Sequence, residues 1–196
     1  MNSRKIARAL ISVYYKDKLE PIINTLADQG VEFISTGGTQ EFIEKLGHKV
    51  MPVEKLTGYP SIFGGRVKTL HPAVFGGILY RRDDQGDLDQ AKEFQISPID
   101  LVIVDLYPFE ETVAKGGTEE EIVEKIDIGG ISLIRGAAKN FKDVLIVSSR
   151  NQYDEFLQLL NTKKCATDIS DRKRFAALAF DVTSHYDGAI FNYFNQ

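Results

Sequence analysis

Hydrophobic residues fall along this chain in two alternating rhythms. The run 6–13 is apolar and bounded by charge, which predicts a buried strand, and Leu19, Ile22, Ile23 and Leu26 follow at helical spacing before Gly30. Residues 31–35 repeat the strand signal. Thr36-Gly37-Gly38-Thr39 then predicts a tight turn, and Phe42, Ile43 and Leu46 an amphipathic helix ending at Gly47. A short strand is expected at 49–53. The Gly- and Pro-rich stretch 56–77 predicts irregular backbone, and long loops in compact domains are usually functional or disordered. A further strand is expected at 77–80 and a polar helix at 88–94. The run 100–106 is continuous and rich in Val and Ile, as in a parallel strand covered on both faces. Helices at 119–126 and 131–139, a strand at 144–147, and helices around 153–160 and 172–194 complete the pattern.

Strands alternating with helices predict an α/β fold, a mainly parallel sheet flanked by helices, with ligand chemistry at the carboxyl ends of the strands near a topological switch point. At 196 residues, one domain spanning 1–196 is the expectation, with no linker, repeat or low-complexity tract. Composition leaves that picture intact. With 43% hydrophobic and 27% charged residues, neither disorder nor a fibrous repeat is implied. A net charge of -4 disfavours non-specific attraction to nucleic acid or to an anionic membrane. The single cysteine, Cys165, excludes an intramolecular disulfide framework, and three scattered histidines supply no metal-ligand spacing. No apolar run suits an export signal or a membrane span. The reading is therefore cytoplasmic and metal-free, without a cofactor.

Candidate chemistry concentrates in the loops. Ser35-Thr36-Gly37-Gly38-Thr39 joins a strand to a helix N-terminus, where glycines admit an anion and free N–H groups face it; a plain helix cap is the alternative. Lys16 lies beyond the first strand and is either a phosphate partner or a solvated lysine beside Asp17 and Lys18. Residues 64–72 (GGRVKTLHP) bring glycines, two cations, a hydroxyl and an imidazole into one loop. His71 precedes a proline and stays outside the catalytic set. Asp105 and Tyr107 fall at the end of the presumed central strand. Asp127 precedes a glycine pair and either caps a helix or handles a proton, with Lys139 near the end of that helix.

In this order, STGGT, GGRVKTLHP, DLYPF, DIGG and AAKN resemble the inosine monophosphate cyclohydrolase domain of the bifunctional purine-biosynthesis enzyme, over nearly the whole chain. The resemblance implies a methylglyoxal-synthase-like three-layer sandwich that closes the purine ring of a formamidoimidazole-carboxamide ribonucleotide. It implies that Ser12, Lys16, Ser35, Thr36, Gly37, Gly38, Thr39, Arg66, Val67, Thr69, Leu70, Leu106, Ile128, Gly129 and Gly130 surround the nucleotide. Lys68, Tyr107, Asp127 and Lys139 become the catalytic polar groups, with Asp105 among them. Two positions depart from the family's pattern: Tyr14-Tyr15 replaces a Ser-Asp pair, and Asp105 replaces an Asn. The family also implies a homodimer. The family normally carries a downstream formyl-transferase domain; formyl transfer is not assigned to this sequence, and a separate formyl-transferase chain is a candidate partner.

On this reading the carboxamide nitrogen attacks the formyl carbon and water leaves, which needs no redox cofactor or metal. Lys68 and backbone N–H groups would stabilise the formyl oxygen, Lys139 exchange the proton, Asp127 hold the carboxamide or tune the lysine, and Tyr107 orient the network. A methylglyoxal-synthase-like lyase, a nucleotide-sensing module and a pure interaction module are the competing readings, because a fold does not by itself establish catalysis.

Overall fold

The computed structural model describes residues 3–195. In chain order its elements are β1 (Arg4–Lys5), β2 (Arg8–Ser12), α1 (Leu19–Asp28), β3 (Glu32–Ser35), α2 (Gly37–Lys45), β4 (Val50–Pro52), α3 (Val53–Thr57), α4 (Pro72–Leu79), α5 (Gln85–Glu93), β5 (Leu101–Val104), α6 (Phe109–Ala114), α7 (Glu119–Val123), α8 (Gly129–Lys139), β6 (Leu145–Val147), α9 (Tyr153–Lys163), β7 (Ala166–Thr167) and α10 (Ile169–Phe194).

Five strands form one parallel sheet in the order β4-β3-β2-β5-β6. Successive strand residues face opposite sides, so a Val/Ile-rich strand buries both faces. Ala9, Ile11, Leu101 and Ile103 meet α1 and α9 through Ile22, Leu26 and Phe156. Leu10, Val102, Val104 and Ile146 meet α4 and α8 through Val74, Ile78, Leu133 and Ile134. Three layers result, as the resemblance implied. A smaller cluster of Phe109, Ile122 and Tyr186 fastens α6 and α7 to the far end of α10. No helix among the described residues is long and apolar enough to cross a membrane.

The strand expected at 77–80 is instead the last turn of α4. His71 Nδ1 accepts the Ala73 N–H at 3.1 Å and Pro72 occupies the first turn, so the helix begins inside the stretch read as irregular. Its glycines reflect close packing. A Cβ on Gly77 would stand 2.6 Å from the Ser97 carbonyl oxygen, and the Gly77 carbonyl accepts the Ile99 N–H at 2.9 Å. The two-residue ribbon of β1 and β7 was too short to leave a periodic signal. It is held by the buried Arg172, which donates to the Thr167, Phe141 and Lys142 carbonyls at 2.6–3.0 Å.

The chain winds outward from β2 to β3 and β4, then crosses to β5 and β6 on the other side. The carboxyl ends of β2 and β5 therefore lie at the switch point, where connecting loops diverge and leave a crevice.

Candidate active site

That crevice is a cavity of about 610 Å³. On the β2–β3 side it is lined by Ser12, Lys16, Thr36, Gly37, Gly38 and Thr39. The first N–H groups of α2 have no acceptor within the helix and carry its positive dipole end. Two ammonium groups stand beside them. Lys68 Nζ is 3.9 Å from where a Cβ on Gly37 would be, and Lys16 Nζ 3.8 Å from the same point on Gly38. Lys16 is not splayed into solvent: it donates to the Val13 and Tyr14 carbonyls at 2.8 and 2.9 Å. The Ser12 and Thr36 hydroxyls pair at 2.9 Å, which leaves one hydroxyl hydrogen for a ligand. Thr39 serves the scaffold, accepting the Val13 N–H at 3.0 Å and donating to its carbonyl at 2.9 Å. This end of the cavity fits a phosphate.

The opposite wall is acidic and phenolic. Asp105 follows β5, is 9% exposed, and accepts the N–H groups of Tyr14 and Tyr15, the second at 3.0 Å. Burial pushes its carboxyl above the usual carboxylate range, against the opposing pull of those N–H groups and of Lys16. Asp127 accepts the Gly130 N–H at 2.7 Å and so caps α8. Burial raises its pKa too, and the negative charge of Asp105 adds to the effect. Burial, then Asp127, Glu124 and Asp105, also raise the Tyr107 phenol, keeping it a protonated donor. The loop carrying Asp127 is fixed from α10: Tyr186 Oη accepts the Asp127 N–H at 2.9 Å and donates to the Lys125 carbonyl at 2.6 Å. Gly130 has no room for a side chain, since its Cβ would lie 2.3 Å from Asp127 Oδ2. Arg66, Thr69, Ile128 and Gly129 complete the expected lining.

Five expected positions fall outside the lining. Ser35 is fully buried and donates to the Ile11 carbonyl at 2.6 Å, bracing β3 against β2. Val67 pairs its backbone with Ile62, Leu70 lies outside the lining, and Leu106 packs between two core clusters. Lys139 is exposed at the last residue of α8 and stands outside the lining, about 9 Å of helical rise beyond Leu133, the last residue of α8 that lines the cavity. Its neighbour Asn140 is structural, donating to the Ile78 and Tyr80 carbonyls at 2.8 and 3.2 Å.

Tyr14 and Glu124 line the cavity without having been picked out as site residues. Tyr14 had a usable signal, sitting just past the first strand next to Lys16. Nothing in the local sequence distinguishes Glu124 from the acidic residues around it.

Fold and cavity together define an α/β small-molecule-binding domain with one cationic end and one acidic, hydrogen-bonding wall. The chain belongs to the MGS-like domain family, which it matches over residues 18–132, and residues 137–196 match the AICARFT/IMPCHase bienzyme family. It is 58% identical over 193 residues to the bifunctional purine biosynthesis protein PurH of Bacteroides thetaiotaomicron, covering 98% of this chain and 38% of that protein. With PurH of Bradyrhizobium diazoefficiens it shares 48% identity over 193 residues, 98% of this chain and 36% of that protein. The chain thus spans well under half the length of these relatives. The crystal structure of ForH matches with a TM-score of 0.81 and 33% identity, covering 96% of both chains.

Proposed function

We propose that this chain is an inosine monophosphate cyclohydrolase, closing the purine ring of 5-formamidoimidazole-4-carboxamide ribonucleotide with loss of water. The observation that carries this reading is the polarity of the cavity. Lys16 and the start of α2 suit the 5′-phosphate, and Lys68, Asp105, Tyr107 and Asp127 suit the carboxamide and formyl groups.

The carboxamide nitrogen attacks the formyl carbon, a C–N bond forms, and the nitrogen gives up a proton. The former formyl oxygen takes up that proton and a second from the formamido nitrogen, its C–O bond breaks as the C=N bond of the new ring forms, and it leaves as water. Because both reacting groups belong to one molecule, the protein's contribution is to hold the reactive rotamer and stabilise developing charge. Lys16 and α2 anchor the phosphate. Lys68 stabilises the developing oxyanion, while Tyr107 donates from its protonated phenol. Asp127, which lines the cavity with its pKa raised by burial, takes the proton role in place of Lys139, which stands outside that lining. The same reading makes the protein a cytoplasmic homodimer supplied by a formyl-transferase activity.

The test is ring closure followed by ultraviolet absorbance, with the product identified by chromatography. Asp127→Asn is expected to lower kcat about 100-fold while retaining inosine monophosphate binding. Wild-type protein that does not accelerate closure, or an Asp127→Asn variant of undiminished kcat, would refute the assignment or the role respectively.

A further inference from the structure

The mouth of the cavity is bridged by an ion pair that the proposed chemistry leaves unused. Arg66, on the loop between α3 and α4, donates from Nε to Glu124 Oε1 at 3.4 Å and from Nη2 to Oε2. Both residues line the cavity. The guanidinium beside Glu124 holds its carboxyl below the usual range, so the acid is charged at neutral pH.

The two partners are held unequally. Glu124 closes the last turn of α7, its N–H bonded to the Glu120 carbonyl at 3.0 Å, and that helix opens with a reciprocal capping box between Thr118 and Glu121. Arg66 rides on a loop in which Phe63, Gly64 and Gly65 have left-handed φ of 54°, 65° and 98°, closed by one antiparallel bridge between Ile62 and Val67. The anchored carboxylate therefore orients the loop-borne guanidinium. Guanidinium has five N–H donors in a rigid fork, and this pairing uses Nε and one hydrogen of Nη2. Three donors remain on the other edge.

We propose that Glu124 is a positioning residue for substrate: it presents the free edge of Arg66 to acceptor oxygens of the bound ribonucleotide and fixes the loop as one wall of the cavity. The proposal rests on the ribonucleotide reading of the site. Glu124 acts through Arg66, because both of its carboxylate oxygens are engaged by the guanidinium. The side chains of the pair are 67% and 57% exposed, so it contributes little to folding and its effect falls on binding.

The test compares wild type, Glu124→Gln, Glu124→Asp, Arg66→Ala and the Arg66→Ala/Glu124→Gln double variant of the whole chain. KM, kcat, calorimetric affinity for inosine monophosphate and melting temperature are measured for each. Glu124→Gln is expected to raise KM and the product Kd about fivefold, with kcat within about twofold and the melting temperature unchanged. Glu124→Asp should recover part of the loss, and the double variant should bind no worse than Arg66→Ala, because both changes remove one interaction. An unchanged Kd in Glu124→Gln, or additive losses in the double variant, would overturn the role of Glu124 alone. Wild-type protein that leaves inosine monophosphate unbound would overturn the ribonucleotide reading and this role with it.

Discussion

At Asp105, the Tyr14 and Tyr15 N–H groups, a nearby lysine and the residue's own N–H favour the charged carboxylate, and burial outweighs all four. The folded chain therefore holds a proton on this group more readily than the unfolded chain does. Its contribution to stability is fully present below the ordinary carboxylate pKa and is lost as pH rises through the raised folded value. Exposed acids paired with cations, such as Asp87 with Arg81, have lowered values and contribute with the opposite sign. The wild-type melting curve mixes both kinds, so the informative quantity is its difference from Asp105→Asn. Melting temperatures from acid to neutral pH are expected to show wild type losing ground to the variant as pH rises, most steeply just above the usual carboxylate range. A difference that stays flat with pH would mean the carboxyl titrates normally. The variant is not free of cost, since the Tyr14 and Tyr15 N–H groups bond to different carboxylate oxygens and one of these becomes an amide NH2, a donor.

The elements divide into those that periodicity could reveal and those that close contacts decide. β2, β3, β5 and β6 were legible because a strand buried on both faces must be apolar throughout, and α1 because its buried positions recur at helical spacing. α4 was not. Two adjacent glycines read as a break, whereas they let the helix approach the 96–99 segment more closely than any side chain allows. Local sequence cannot distinguish these cases, because the reason lies some twenty residues away at Ser97 and Ile99. Gly77→Ala is therefore expected to destabilise the fold by about 1–3 kcal/mol through overpacking, although alanine favours helices. Chemical denaturation measures this directly, and a stabilised variant would mean that the Ser97 carbonyl moves freely. The site was legible in a similar, partial way. Its glycine turns and strand-end acids were visible in sequence, but the pairing of Arg66 with Glu124 depends on loops 58 residues apart meeting in space.

Across the whole molecule, the parallel topology assigns chemistry to one end of the sheet and sets apart two lysines that the sequence reading gave to one site. Lys16 follows β2 and stands at the carboxyl edge beside the start of α2. Lys139 ends α8, six residues before β6 begins, and so lies toward the amino edge. General acid–base catalysis needs contact at hydrogen-bond range or through one water, and Lys139 is exposed and outside the cavity lining. Lys16→Ala is expected to weaken inosine monophosphate binding about tenfold by removing a charge-assisted phosphate contact, and to make the remaining binding less sensitive to salt. Lys139→Ala should change neither the Kd nor kcat by more than about twofold. Calorimetry with the two variants side by side, followed by turnover, tests the assignment of ends. Loss of turnover in Lys139→Ala with binding intact would mean that the ammonium reaches the chemistry from outside this chain's own cavity. Mixing that variant with one disabled at Asp127 would then recover activity if a second copy supplies the lysine, and would stay inactive if one chain must hold both groups.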